Sequence, residues 1–149
     1  KKGGITTLED KSCGCVQKGG SAQIVDVLSY AETVTKKGLN LLSGPGNDLV
    51  SATDLTAAGA HLILFTTGRG TPFGAPAPTV KISSNTALYN RKRDWIDFNA
   101  GTVAEGLETL DEAGDRLLEY VLWVAGGEKT LAEKHGCREI SIFKDGVVL

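Results

Sequence analysis

His61-Leu62-Ile63-Leu64-Phe65-Thr66-Thr67-Gly68-Arg69-Gly70-Thr71-Pro72-Phe73-Gly74 decides the fold. Its opening, His61 to Phe65, is an apolar run of the length of a buried strand. Two threonines, an arginine and flexible glycines follow where that strand must end. In an open α/β sheet, ligands bind outside the carboxyl ends of strands. Arginine presents a planar fork that matches a carboxylate or a phosphate. Glycines let the backbone come close and offer N–H groups to an anion. The stretch therefore predicts a central strand over Leu62–Thr66 and, beyond it, a pocket for a small anion. The plainer alternative is a surface loop whose arginine pairs with an aspartate.

The rest of the chain alternates strand and helix around this segment. Ala22–Leu28 and Thr79–Ser83 alternate apolar and polar residues and read as strands, as do Leu39–Ser43 and Trp95–Phe98. Asn47 or Asp48 is a good cap for a helix over Asp48–Ala58, and Asn85 starts another to Arg91. A long helix ends at Ala125 and begins at Thr102 or Thr109, each opening a capping box with Glu105 or Glu112. Leu107, Leu110, Gly114, Leu117, Leu118, Val121, Leu122 and Ala125 form its expected apolar stripe. Gly68 to Pro78 reads as a long exposed loop, Thr7–Lys11 as a helical turn followed by a loop, and Ile140–Phe143 as an edge strand. This order implies a layered, Rossmann-like α/β domain with a mainly parallel sheet flanked by helices. Residues 1–20 read as a linker and N-terminal segment, and 21–149 as one α/β domain.

A chain of 149 residues fits one domain that buries roughly 68–70% of its unfolded surface. A net charge of −2 argues against a nucleic-acid partner, and no long uncharged apolar run suggests a membrane span. Methionine is absent and the chain opens Lys1-Lys2-Gly3-Gly4, which reads as a fragment of a longer protein. Three cysteines, two of them too close for an ordinary bridge, suit a reduced, cytoplasmic setting.

Two further clusters carry chemistry. Gly44-Pro45-Gly46-Asn47-Asp48 opens a helix, where N–H groups attract anions and the two side chains suit sugar hydroxyls or a cation; simple capping is equally consistent. Glu9, Lys11, Cys13, Cys15 and Lys18 lie close in sequence. Cys-x-Cys alone is a weak metal signal, whereas a lysine among other cations loses basicity and becomes a base, which nominates Lys18 and Lys11. His61 reads as half-buried structure and His135 as exposed. Trp95, Phe98 and Trp123 read as core, and Arg91-Lys92-Arg93 as a solvated helix end.

Thr6–Ser12, Gly14–Lys18, Gly38–Asp48, Phe65–Gly74, Pro78–Ile82 and Trp95–Gly101 together resemble the C-terminal region of the altronate/galactarate dehydratase family. Arg138–Val147 resembles the tail of its altronate branch. The likeness covers nearly the whole chain; Cys13 departs from it, standing where the family pattern has an apolar residue. The resemblance implies hydro-lyase chemistry in hexuronate catabolism, an aldonate as the sugar-acid substrate, and a 2-keto-3-deoxy acid as product. It also implies a divalent metal, iron(II), in the complete enzyme, and N-terminal domains of the same polypeptide as partners. Arg69, Gly68 and Gly70 would then hold the substrate carboxylate. Thr66, Thr67 and Thr71 would orient hydroxyls, Asn47 and Asp48 would line the opposite wall, and Lys18 or Lys11 would move the proton. Sulfolactate sulfo-lyase subunits look similar. A non-catalytic sugar-acid-binding module, or a homo-oligomer interface built on the long helix, are the other readings.

Overall fold

Hydrophobic alternation sets the strands, and side-chain caps set where the helices begin. The computed structural model describes residues 7–142, and for Leu8, Asp10 and Lys11 the backbone alone. In chain order the elements are α1 (Leu8–Gln17), β1 (Ile24–Leu28), β2 (Leu39–Leu42), α2 (Asp48–Ala57), β3 (Ile63–Thr67) and β4 (Thr79–Ser83), then α3 (Thr86–Arg91), β5 (Phe98–Asn99), α4 (Gly101–Ala104), α5 (Leu110–Ala125) and α6 (Leu131–Lys134). All strand pairs are parallel: β1 with β2, and a second sheet in the order β3-β4-β5. The chain is thus a layered α/β fold; α3 carries the β4–β5 crossover, while irregular segments join β1 to β2 and β3 to β4.

The β3-β4-β5 sheet is covered on both faces. On one, Ala52 of α2 packs with Ile63, Phe73, Ala75 and Ala77, and Phe65 meets Phe73 edge to face at 4.9 Å. On the other, Val80, Ile82 and Phe98 pack against Val124, with Leu117 and Tyr120 of α5 closing the cluster. Every residue of β4 is buried, as expected of a central parallel strand.

Asp97, just before β5, joins three elements. Its Oδ2 accepts the N–H of Lys81 at 2.8 Å; its Oδ1 accepts the Tyr120 hydroxyl at 3.0 Å and the N–H of Leu131 at 2.9 Å. One carboxylate thereby ties β4, α5 and the start of α6. Burial, then the nearby Asp97 charge, pushes the Tyr120 phenol well above its ordinary range.

Several expectations need correction. The first helix continues to Gln17 instead of ending near Lys11. The predicted strand over Trp95–Phe98 shrinks to Phe98–Asn99, because Trp95 and Ile96 turn back onto Lys92 through N–H bonds to its carbonyl. Thr109, not Thr102, caps the long helix with a complete capping box, and the earlier start makes the separate α4. The buried edge of α5 is Ala113, Leu117, Tyr120 and Val124; Leu107, Leu110, Leu118 and Leu122 of the expected stripe are exposed. Trp123 and His61 are exposed too. The loop after β3 folds inward, with Phe73, Gly74, Ala75 and Ala77 buried. Ile140–Ile142 form no strand, and Phe143 lies outside the described residues. The tail is instead pinned to Gly74, whose carbonyl accepts the Glu139 N–H at 2.7 Å and whose N–H meets the Glu139 carboxylate at 2.8 Å.

Gly101 marks the tightest approach of two segments: a Cβ there would overlap the backbone of Asn85 and Thr86. Gly101→Ala is expected to cost about 3 kcal/mol or more, the upper end for overpacking, because only backbone stands in the way. Urea unfolding of the variant checks this as a lowered midpoint at unchanged slope.

Candidate functional site

The carboxyl ends of the three sheet strands share one device. Thr67, Ser83 and Asn99 stand in register across β3, β4 and β5 and are all buried. Each turns its side-chain oxygen onto the backbone that follows. Thr67 Oγ1 accepts the N–H groups of Gly70 at 2.8 Å and Arg69 at 3.3 Å. Ser83 Oγ accepts the N–H of Asn85 at 3.2 Å, and Asn99 Oδ1 that of Gly101 at 2.9 Å. The rim of the sheet is therefore fixed by buried polar side chains, not by further strand.

Side chains from the next helical segment hold the loop after β3. Lys92 Nζ donates to the carbonyls of Gly70 at 3.1 Å and Arg69 at 3.4 Å. Asn85 Nδ2 donates to the Gly68 carbonyl at 3.2 Å, and Trp95 Nε1 to that of Thr71 at 3.3 Å. Gly70 has φ +80°, and a Cβ on it would press on Lys92 and Leu88 at 3.1–3.2 Å. Glycine is thus demanded there by both conformation and space. Lys92, expected to be a solvated helix end, is a half-buried strut of this loop.

The predicted site residues separate into groups. Gly68, Arg69, Gly70 and Thr71 form the lip of the sheet, with Arg69 exposed. The N–H groups of Arg69 and Gly70 turn inward to Thr67, which corrects the expectation that they face an anion. Thr67 is buried beneath the loop and Thr66 is exposed. Asn47 Oδ1 caps α2 by accepting the N–H groups of Leu49 and Val50, and Asp48 is exposed in the first turn. Lys18 is exposed just beyond α1, and the neighbouring Gly19 lies against the Leu39 side chain of β2. The Lys11 side chain lies outside the described residues. Cys13 and Cys15 are exposed on α1, where side chains two residues apart point to different sides. Among the described residues no three His, Cys, Asp or Glu side chains are grouped to hold a metal ion.

Lys81 was not singled out from the sequence. It sits at the centre of β4, paired with Phe65, and is 0% exposed. Its Nζ has no hydrogen-bond partner among the described residues and lies 3.9 Å from the centroid of the Trp95 ring. Burial pushes its pKa below the ordinary lysine range; Cys137, Asp97 and Glu139 oppose the fall and Lys92 adds to it. In Thr79-Val80-Lys81-Ile82-Ser83 the alternation suggests an outward polar face. The usable signal was position: a central parallel strand is covered on both sides, so its lysine is buried.

The unfolded chain keeps the Lys81 proton up to about pH 10.4, whereas the folded chain releases it lower. Stability therefore rises with pH between those two values, and the full penalty applies below the folded one. Lys81→Met is expected to raise the melting temperature at neutral pH by a few degrees. That gain should shrink toward about pH 10, as melting curves across the range would show. Thr67→Val would strand two inward N–H groups and cost about 1–3 kcal/mol, measurable in the same melts.

The chain is similar in sequence to known proteins. The family described as D-galactarate/Altronate dehydratase, C-terminal, matches residues 1–148. Altronate dehydratase of Bacillus subtilis (strain 168) is 52% identical over 149 residues, covering 100% of the chain and 30% of that protein. Galactarate dehydratase (L-threo-forming) of Escherichia coli (strain K12) is 40% identical over 151 residues, 99% of the chain and 29% of the relative. The (2R)-sulfolactate sulfo-lyase subunit beta of Chromohalobacter salexigens is 37% identical over 140 residues, 93% of the chain and 36% of that subunit.

Proposed function

Because the chain belongs to the D-galactarate/altronate dehydratase C-terminal family, we propose that it is the C-terminal domain of a sugar-acid hydro-lyase converting altronate to a 2-keto-3-deoxy acid. The similarity to altronate dehydratase, at 52%, exceeds that to galactarate dehydratase, at 40%, and to the sulfo-lyase subunit, at 37%. The structural observation that carries this reading is an exposed arginine at the carboxyl edge of a parallel sheet, on a loop held from below by Thr67, Lys92, Asn85 and Trp95.

Dehydration of an aldonate begins with a weakly acidic proton next to a carboxylate. The charge that develops on the carboxylate must be held in place. Arg69 does this with its guanidinium fork, and the fixed loop backbone keeps the fork from drifting, so that little orientation is lost on binding. Thr66 and Thr71 orient substrate hydroxyls at the lip. Asn47 and Asp48 serve the far wall, Asn47 through its amide hydrogens, since its oxygen is engaged in the cap. Gly68 and Gly70 let the loop pass close over the sheet.

The chain spans about 30% of the length of the altronate dehydratase it matches. The remaining domains of the full-length polypeptide are its partners in this reading, and they supply the ligands of a divalent metal, iron(II). Exposed Leu110, Leu118 and Leu122 on α5 suit such a contact. No helix among the described residues is long and apolar enough to cross a membrane. Cys13, Cys15 and Cys137 are free thiols, in keeping with a reducing cytoplasm.

The full-length protein assayed with altronate and ferrous ion should release a keto acid. Sulfite release from sulfolactate would move the assignment to the sulfo-lyase, and binding without turnover would leave a non-catalytic module. Arg69→Lys should lower kcat/KM by about 10–100-fold, the worth of a charge-assisted bidentate bond; unchanged kinetics would remove Arg69 from the site.

A further inference from the structure

The fold does not account for Lys81. A buried amine in the central strand contributes no hydrogen bond among the described residues, and an apolar side chain of similar length would fill the space without desolvating a charge. A buried polar group left unpaired asks for a chemical reason.

Its surroundings supply one. Lys81 lies two residues before the carboxyl end of β4, about 7 Å from the rim at strand spacing, within reach of a four-carbon stem. Lys92 is near enough for its charge to act on the Lys81 amine, and Lys92 itself grips the carbonyls of Arg69 and Gly70. Trp95 connects the loop of Arg69 to the Lys81 amine, its indole N–H donating to the Thr71 carbonyl. The Trp95 ring lies over the amine at 3.9 Å. Asp97 ahead of β5, and Cys137 and Glu139 in the tail, complete the ionisable groups that act on it. Desolvation favours the neutral amine and the Lys92 cation adds to this, against the opposing pull of Cys137, Asp97 and Glu139. Exposed Lys18 lacks that burial.

We propose that Lys81 is the proton acceptor of the dehydration. This role rests on the dehydratase reading given above. The neutral amine takes the hydrogen on the carbon next to the carboxylate and becomes an ammonium. The C–H electron pair moves toward the carboxylate carbon, and Arg69 holds the resulting charge. That pair then expels the hydroxyl on the next carbon, which leaves as water with the proton returned by Lys81. The enol that remains tautomerises through solvent to the keto acid. Substrate reaches the amine when Trp95 swings aside; its single indole hydrogen bond, 3.3 Å to the Thr71 carbonyl, is at the long end of the range. The same ring excludes water when it lies closed.

The test uses the full-length enzyme with ferrous ion. Lys81→Met should lower kcat by roughly 10²–10⁴-fold while altronate still binds. Lys81→Arg should not restore turnover, because a guanidinium does not release its proton at neutral pH. A merely structural lysine would instead show lost thermal stability in the Met variant and rescue by Arg. Carbon NMR of labelled lysines in the wild type gives an independent readout that needs no variant to be active. The Lys81 signal should titrate well below the other lysines, and titration alongside them overturns the proposal. Normal turnover in Lys81→Met overturns the role of Lys81 and leaves the dehydratase reading standing. A wild-type enzyme that forms no keto acid from any aldonate overturns the dehydratase reading and this role with it.

Discussion

An irregular loop holds a side chain in one place only if something outside the loop satisfies its backbone polar groups. Residues 68–71 meet that condition without secondary structure of their own. Thr67 takes two of their N–H groups, and Asn85, Lys92 and Trp95 take their carbonyls. The registered row of Thr67, Ser83 and Asn99 repeats the arrangement at each strand end. Parallel pairing puts all three ends on one edge, so the fold itself gathers the loops there. Arg69 is placed by this scaffold, although it is exposed and lies on no regular element.

Stability and chemistry meet in β4. Its backbone binds Asp97, which also fastens α5 and α6, so the strand is central to the packing of the domain. The same strand carries Lys81 in the one environment where an amine costs most. A sequence selected only for stability would place a hydrocarbon there. Trp95 links Lys81 to the loop of Arg69, lying over the amine and donating its indole N–H to the Thr71 carbonyl, and the proposed role as a base would give the cost a use. Sites that break a local rule in this way are where function is expected.

Much of the framework was legible from the amino acids. The strands around Ile63, Val80 and Leu39, the caps at Asn47, Asn85 and Thr109, and the parallel α/β order all follow from alternation and capping chemistry. What escaped was tertiary. Glycine and proline in Gly68–Pro78 signal irregular backbone, and irregular was mistaken for exposed; Phe73 and Ala75 in fact fill the core against α2. The stripe of α5 is rotated because the sheet offers only a narrow face, met by Ala113, Leu117, Tyr120 and Val124. This leaves Leu118 and Leu122 outside. Lys92 and Trp95 read as a charged helix end and a core aromatic, since their hydrogen bonds to a loop more than twenty residues away leave no mark in sequence spacing. Lys81 was hidden by the same alternation that revealed its strand. The sequence marks Arg69 and its glycines as a candidate clamp, while the side chains that hold their loop leave no such mark.

The most direct measurement is a crystal structure of the full-length polypeptide with an aldonate bound. The substrate carboxylate should lie on the Arg69 guanidinium, with the adjacent carbon turned toward Lys81 and Trp95 displaced from its place over the amine. An aldonate seated elsewhere, with Arg69 turned to bulk water and Trp95 still closed over Lys81, would contradict the account.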